Sequence, residues 1–596
     1  MCGISGFMTE GTCPPHELLV RLADALQHRG PDDRGYHYDP GCGLGLAHNR
    51  LSILDLTAAG HQPMCSEDGC IALVYNGEIY NFRELQRELE AAGHVFASRC
   101  DTEVVLRAYE HWGADCVTRF CGMFALAVWN ARRRELFLAR DPLGMKPLYY
   151  TMAIEGWPGF FFASELKAFR AIPGFRPRLS AQALASFMEF GYTFDEHQTA
   201  FQDVHKLPPG HTMVVHSGGR AEAPRPYHVL PARPGVVTED RHDERRAELH
   251  AALDTVVAQH LVADVPVGIL LSGGLDSSLI AALAARHSPV TTLSMGFEGA
   301  SFDERPFARQ VARSIGSTHH EITITPTEVH EHLERTLPVF DDLFDDWGTI
   351  STRLLYLKCR DLGIRVVLVG EGADEIFGGY SVFRDAPGLR GPEVWRLIRL
   401  WHRYGNRRFG RTMVPFFDLM QGFLRESGKD WFHSVRLFET RHQLPNQYVM
   451  KVDKASMSVS VEARAPYLDR RIADLACRMP ASMLLRGPRN KAVLREIAAE
   501  HHLLPAEIID RPKFGGSIAM NWMDDDAGFR SHAREVVLDP AAAWTDRLGL
   551  RRAMEDYFDC GRMGYAFPHP LSLFRILAWR LMQLELWSHA CGVERP

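Results

Sequence analysis

Apolar residues follow two different rhythms along this chain, and the change between them falls near residue 240. Before it, apolar runs such as Ile71 to Tyr75, Phe124 to Trp129 and Glu135 to Ala139 stand out with little strict alternation. Short runs of that kind between turn residues predict buried strands. Between them, Phe82, Leu85 and Leu89 share one helical face, and Gly93 supplies a stop signal. A Pro- and Gly-rich stretch, from Pro208 through Pro224 and Pro226 to Pro234, reads as a linker between domains.

After it, strands and helices alternate. Val267 to Leu271 predicts a strand, followed by a Gly-rich turn and a helix from about Ser277 to His287. A strand (Val290 to Phe297), a helix (Asp303 to Ile315) and a strand (Glu321 to Thr325) come next, and Val366 to Val369 predicts one more buried strand. Such repeats predict a parallel sheet with helices on both faces. Beyond about residue 385 the pattern is mostly helical. Val394, Leu397, Ile398 and Trp401 mark an apolar helical face there, so the eight arginines between Arg384 and Arg411 read as its solvated side. A docking surface for an anionic substrate or carrier protein is the sharper alternative.

Composition narrows the class. The chain of 596 residues is too long for one core. With 46% hydrophobic and 24% charged residues it has a globular composition, and a net charge of -7 gives no reason to expect a nucleic-acid or membrane partner. No apolar run approaches the ~20 residues that span a bilayer, and the first residues lack the basic-then-apolar pattern of a signal peptide. The expected location is cytoplasmic. The twelve cysteines are expected to be thiols, since no CxxC pair or zinc-spaced cluster occurs among them.

Two groups of residues carry chemistry. Cys2 stands directly behind Met1; loss of the methionine would put a thiol and a free α-amine on one residue, and an α-amine titrates near ~7.7–8.0, where it can accept the thiol proton. His28-Arg29-Gly30-Pro31-Asp32, Arg50-Leu51-Ser52-Ile53, Tyr75-Asn76-Gly77-Glu78-Ile79-Tyr80 and Asp101-Thr102-Glu103 follow. Singly, each has a plain structural reading: Asn76-Gly77 is a common turn pair, Arg50 a surface charge, Asp101 a helix cap. Together and in this order they resemble a class II glutamine amidotransferase domain of the N-terminal nucleophile type. The resemblance implies that Cys2 attacks the glutamine carboxamide and that Asn76 and Gly77 form the oxyanion hole. It also implies a glutamine pocket made by Arg50, which would clamp the α-carboxylate, with Leu51, Ile53, Asn76, Gly77, Glu78 and Asp101.

The second group is Ser272-Gly273-Gly274-Leu275-Asp276-Ser277-Ser278, between a strand and a helix. Its glycines admit phosphate oxygens, and its hydroxyls and helix N–H groups donate to them. It lacks the GK[ST] ending of a Walker loop. It resembles the loop of ATP pyrophosphatases, which release AMP and pyrophosphate. Gly370-Glu371-Gly372-Ala373-Asp374-Glu375 lies after another strand, where parallel sheets bind ligands. The segments Lys451 to Met457 and Glu462 to Asp469 extend the resemblance to asparagine synthetases, so that it runs from residue 2 to about 515.

That family implies ATP contacts from Leu271, Ser272, Gly273, Gly274, Asp276, Ser277, Met295, Val369 and Gly370, with Asp276 and Asp374 holding Mg²⁺. It implies catalytic roles for Glu375 and Lys513. The implied architecture is an α+β αββα sandwich (residues 2–205), a linker (206–238) and an α/β parallel-sheet ATP-pyrophosphatase domain with a helical C-terminal part (239–596). The implied activity is a ligase reaction of asparagine biosynthesis: glutamine-hydrolysing, ATP-dependent amidation of a carboxylate through an acyl-adenylate, with ammonia channelled between two sites. Expected partners are glutamine and a carboxylate, aspartate first or another acceptor; a homodimer is compatible with the resemblance. Leu343, Trp347 and Ser351 stand where the family carries prolines, Val369 stands in place of a serine or threonine, and Phe514 to Ile518 depart from its usual loop. These departures leave the ATP chemistry intact and bear on the acceptor. A ring-closing synthetase fits less well because Cys2 is intact, and a silent binding protein less well because both sites are complete.

Overall fold

The computed structural model describes residues 2–235, 241–298, 303–346, 348–404, 413–512, 523, 526–559 and 570–593. Its front part is built on two antiparallel sheets. The first has the order Val204–Lys206, Tyr149–Thr151, Gly159–Ala163, Gly3–Thr9, Leu44–Arg50, Asp33–Asp39. In the second, Ile71–Ile79, Gly122–Asn130, Glu135–Arg140 and His211–His216 lie side by side. Ile4, Leu46, Val74, Ala127 and Trp129 meet between the sheets. The helix His16–Ala25 covers the outer face of the first sheet, and the helices Phe82–Ala91 and Asp101–Trp112 cover that of the second. Strands covered on both faces need apolar residues on both, which explains why polar and apolar positions do not alternate here. Phe82, Leu85 and Leu89 are buried as their spacing predicts.

The stretch read as a linker is in part sheet. His211–His216 pairs antiparallel with Glu135–Arg140, and Arg225–Pro226 pairs with His211 and Thr212. Pro226 is tolerated because Arg225–Pro226 lies off the main strand path at the sheet edge, where a missing N–H breaks no ladder.

The rear part holds a five-stranded parallel sheet in the order Thr318–Ile324, Thr291–Phe297, Val267–Leu270, Val366–Leu368, Glu462–Arg464. The first strand in sequence is thus central. The chain winds outward in one direction, then returns to add Val366–Leu368 on its other side, leaving a switch point between Val267–Leu270 and Val366–Leu368. The helix Leu275–Ala285 is almost wholly buried against this sheet, as its Ala/Leu composition demands. The remainder is mainly helical, and no helix among the described residues is long and apolar enough to cross a membrane. In the helix Glu393–Tyr404, Leu397, Leu400 and Trp401 are buried while Val394 is exposed, so the apolar face is one turn shorter than its spacing suggests.

Candidate active sites

The thiol site forms where the first residues of Gly3–Thr9 meet the end of Leu44–Arg50 and the middle of Ile71–Ile79. Cys2 is buried, and its backbone N–H donates to Asn76 Oδ1 at 2.9 Å. That bond fixes which end of the amide is oxygen, and leaves Asn76 Nδ2 buried with no hydrogen-bond acceptor among the described residues. An orphaned buried donor is costly, and this one belongs to the amide that holds the Cys2 N–H. Gly77 has to be glycine because a Cβ there would come within 2.2 Å of the Met123 carbonyl. Burial pushes the Cys2 thiol up, while the Leu51 N–H and the Arg50 guanidinium favour the thiolate.

Arg50 Nη1 donates to the Thr57 carbonyl at 2.9 Å, and Nη2 donates to those of Leu54 and Asp55 at 3.2 and 2.5 Å. Three of its five N–H donors thus shape the following loop, and two remain for a ligand. Asp101 opens the helix Asp101–Trp112; its Oδ2 accepts from Tyr75 Oη at 2.8 Å and from the Ile79 N–H at 3.0 Å. Leu51 and Ile53 are buried in the wall of the core. The Glu78 side chain is buried too, and its carboxylate lies 3.2 Å from Arg464 of the rear part.

The second site lies at the switch point. Ser272 Oγ and Ser277 Oγ are 3.0 Å apart, and Ser272 Oγ accepts from the Gly274 N–H at 3.2 Å, which curls the loop under the start of the helix Leu275–Ala285. Gly273 has φ +70, and a Cβ there would meet Ala308 N at 2.5 Å. Gly370 abuts Ser277, so the two loops that follow the central strands face each other. Leu271 and Val369 are buried beneath them, and Met295 is half-buried on the adjoining strand.

Asp276 and Asp374 do meet, but across a residue that sequence reasoning missed. Lys491 Nζ lies 2.5 Å from Asp276 Oδ2 and 2.6 Å from Asp374 Oδ1. Burial works against that ammonium, and the two carboxylates overcome it and hold it charged. Lys491 has φ 54 and ψ 39, a left-handed conformation rare for a residue with a side chain, and such strain gathers at functional sites. Nothing in the local sequence marks it: it follows a short hairpin more than a hundred residues from either aspartate. Glu375 is buried beside them, accepts from Tyr380 Oη at 2.5 Å, and is pushed up to about 8 by burial and by Asp374. Lys513, Trp347 and the Phe514 to Ile518 loop lie outside the described residues.

Between the sites runs a buried ionic seam. Arg29 Nε donates to the Cys2 carbonyl at 3.0 Å, and its Nη groups donate to Asp453 at 2.9 and 3.1 Å. Lys146 lies 3.3 Å from the same aspartate, and Lys454 pairs with Asp341. A cavity of about 10 Å³, roughly the least that holds one water, lies there against Met145, Tyr149, Met450 and Asp453. The departing segment near residue 341 belongs mostly to this seam: Asp342 accepts from the Ala200 N–H at 2.8 Å and Asp345 pairs with Arg580 at 2.5 Å. Of its four aspartates, Asp346 faces the nucleotide side, where it pairs with Lys451 at 3.0 Å.

Comparison with known proteins agrees with this division. Residues 1–228 match the glutamine amidotransferase domain, and residues 248–589 match the asparagine synthase family. Asparagine synthetase (glutamine-hydrolysing) 1 of Bacillus subtilis is 30% identical, over 88% of this chain and 88% of its own length. A second Bacillus subtilis enzyme, asparagine synthetase (glutamine-hydrolysing) 3, is 32% identical over 86% of each chain. Asparagine synthetase (glutamine-hydrolysing) 2 of Arabidopsis thaliana is 30% identical over 90% of this chain and 82% of its own. An amidotransferase unit joined to an ATP-using synthetase unit defines a ligase that hydrolyses glutamine and forms an amide. The chain belongs to the asparagine synthase family.

Proposed function

We propose that this ligase amidates a carboxylate through an acyl-adenylate, with aspartate as acceptor and with Cys2 supplying ammonia from glutamine. The observation that carries the reading is the convergence of the Ser272–Ser278 loop, Asp374, Glu375 and Lys491 on one switch point. That is a phosphate cradle without a Walker lysine, and it suits transfer of AMP rather than of a phosphoryl group. The names of relatives about 30% identical support aspartate.

In this reading Met1 is removed and the Cys2 amine takes the thiol proton. The sulfur attacks the glutamine carboxamide, Asn76 Nδ2 and the Gly77 N–H receive the charge on its oxygen, and the C–N bond breaks to release ammonia, which takes the proton back from the Cys2 amine; water then hydrolyses the γ-glutamyl thioester to glutamate and frees the thiol. Arg50 holds the α-carboxylate of glutamine and Asp101 its ammonium. Ammonia crosses the seam between the halves. At the switch point the acceptor carboxylate attacks the α-phosphorus of ATP, and the bond to the β-phosphate breaks. Ammonia then attacks the acyl carbon and AMP leaves.

Asp276 and Asp374 offer two hard oxygen donors on adjacent loops, already gathered around a cation. They fit Mg²⁺, which would neutralise the departing pyrophosphate. Lys491 would then turn its charge to the phosphates. Glu375 receives the proton of the attacking ammonia, and Lys451 draws in the acceptor carboxylate. The test is an assay for asparagine with ATP, Mg²⁺, glutamine and aspartate. Formation of asparagine with AMP supports the reading, and AMP formation only with a different carboxylate replaces the acceptor.

A further inference from the structure

The strand Glu462–Arg464 lies at the edge of the parallel sheet, where side chains ordinarily meet solvent, yet all three of its residues are buried. Arg464 Nε donates to Glu462 at 2.6 Å, and Nη1 donates to the carbonyls of His260 and Val262, both at 2.7 Å. Three bonds of this kind would hold an ordinary structural arginine. Its Nη2 has a different neighbour: it faces Glu78 Oε1 at 3.2 Å, across the boundary between the halves. His260, whose carbonyl Arg464 holds, stacks its ring on Tyr80 at 3.5 Å between centroids.

Glu78 follows Asn76 and Gly77 on one strand, and Tyr80 stands just past its end. Three buried carboxylates, those of Glu78, Glu462 and Asp101, act on one another here, and Arg464 is the guanidinium set between the first two. The rear strand thus brings to the strand carrying the Cys2-bonded amide both Glu462 and a guanidinium: burial and Glu462 push the Glu78 carboxyl well above the usual carboxylate range, and Arg464 is the charge that opposes that shift.

We propose that Arg464 is a positioning residue of the glutamine-hydrolysing site, delivered to it by the nucleotide-binding sheet. This rests on Cys2 being the nucleophile of that site. The hydrolytic site is therefore completed only when the two halves are docked. A separate tether points the same way, since Asp453 of the rear part holds Arg29, which holds the Cys2 carbonyl.

The experiment is a steady-state comparison in the full-length protein, reading glutamate release from glutamine and, separately, AMP formation with ammonium chloride as nitrogen source. Arg464→Gln is expected to raise KM for glutamine about tenfold or more and to leave ammonia-dependent AMP formation within about twofold. Arg464→Lys, which keeps the charge, is expected to recover most of the lost KM, and it reads the same split should the glutamine variant not fold. An unchanged KM for glutamine or an equal loss of both activities would each overturn the proposal. Glutamine hydrolysis surviving Cys2→Ala would instead remove the reading beneath it.

Discussion

The two sites solve the problem of a buried polar group in opposite ways. At Cys2 the groups are fixed before any ligand arrives: Asn76 is oriented by the Cys2 N–H, Asp101 by Tyr75 and Ile79, and Arg50 by three carbonyls. What is left over is a buried donor, Asn76 Nδ2, which in the proposed reading faces the charge that develops on glutamine. At the switch point what would be left over is negative charge, and Lys491 is folded in from elsewhere to cover it. In the proposed reading the first site takes an uncharged carboxamide, and its electrostatic support is needed only in the transition state. In the same reading the second receives a polyanion, so its carboxylates need a cation before and during binding. That difference teaches where each should be fragile.

The sharpest break is Cys2→Ala. Glutamine-dependent amidation is expected to fall by at least about 10³-fold, with ammonia-dependent amidation retained, as measured by product formation from each nitrogen source. Asn76→Ala comes next, with an expected loss of about 10²-fold or more in kcat for glutamate release. It should change KM far less, because the amide acts on the transition state. For the second site, Lys491→Met is expected to leave glutamine hydrolysis within a few-fold and to cut AMP formation by about 10²-fold. Added Mg²⁺ should recover part of that loss, since the uncovered carboxylates then have a substitute cation. Full activity of Lys491→Met would mean that the second site is as self-sufficient as the first.

The smallest effect concerns pH. Burial pushes the imidazoles of His48, between the front sheets, and His260, on Tyr80, down to about 3. An unfolded histidine takes up a proton below about 6.5 and these two do not until about 3, so the unfolded state binds more protons in that window. Stability therefore falls as pH drops through it and is flat above it. At pH 5 each histidine costs roughly 2 kcal/mol relative to neutrality. Thermal midpoints between pH 7 and 5 check this: His260→Asn should lose less on acidification than the parent chain.

Much of the fold was legible because both signals are local. Continuous apolar runs name strands covered on two faces, and a strand, a Gly-rich turn and an Ala/Leu helix name a phosphate-binding unit. The misread linker shows the limit: Pro and Gly mark turns, but they also suit an edge strand, and local sequence does not say which. The unread site residues share one cause. Lys491, Arg464 and Asp453 act on groups 117 to 424 positions away in sequence, so no spacing reveals them. They also come from elements whose local role, a cap, an edge strand or a helix, is already ordinary.

The central claim is that the switch-point site makes AMP while the Cys2 site feeds it nitrogen. The most direct measurement follows nucleotide products by chromatography during turnover with ATP, Mg²⁺, glutamine and aspartate, or a panel of other carboxylic acids. The account predicts AMP and pyrophosphate in step with carboxamide and glutamate, with ADP at background. Carboxamide formed with stoichiometric ADP would contradict it.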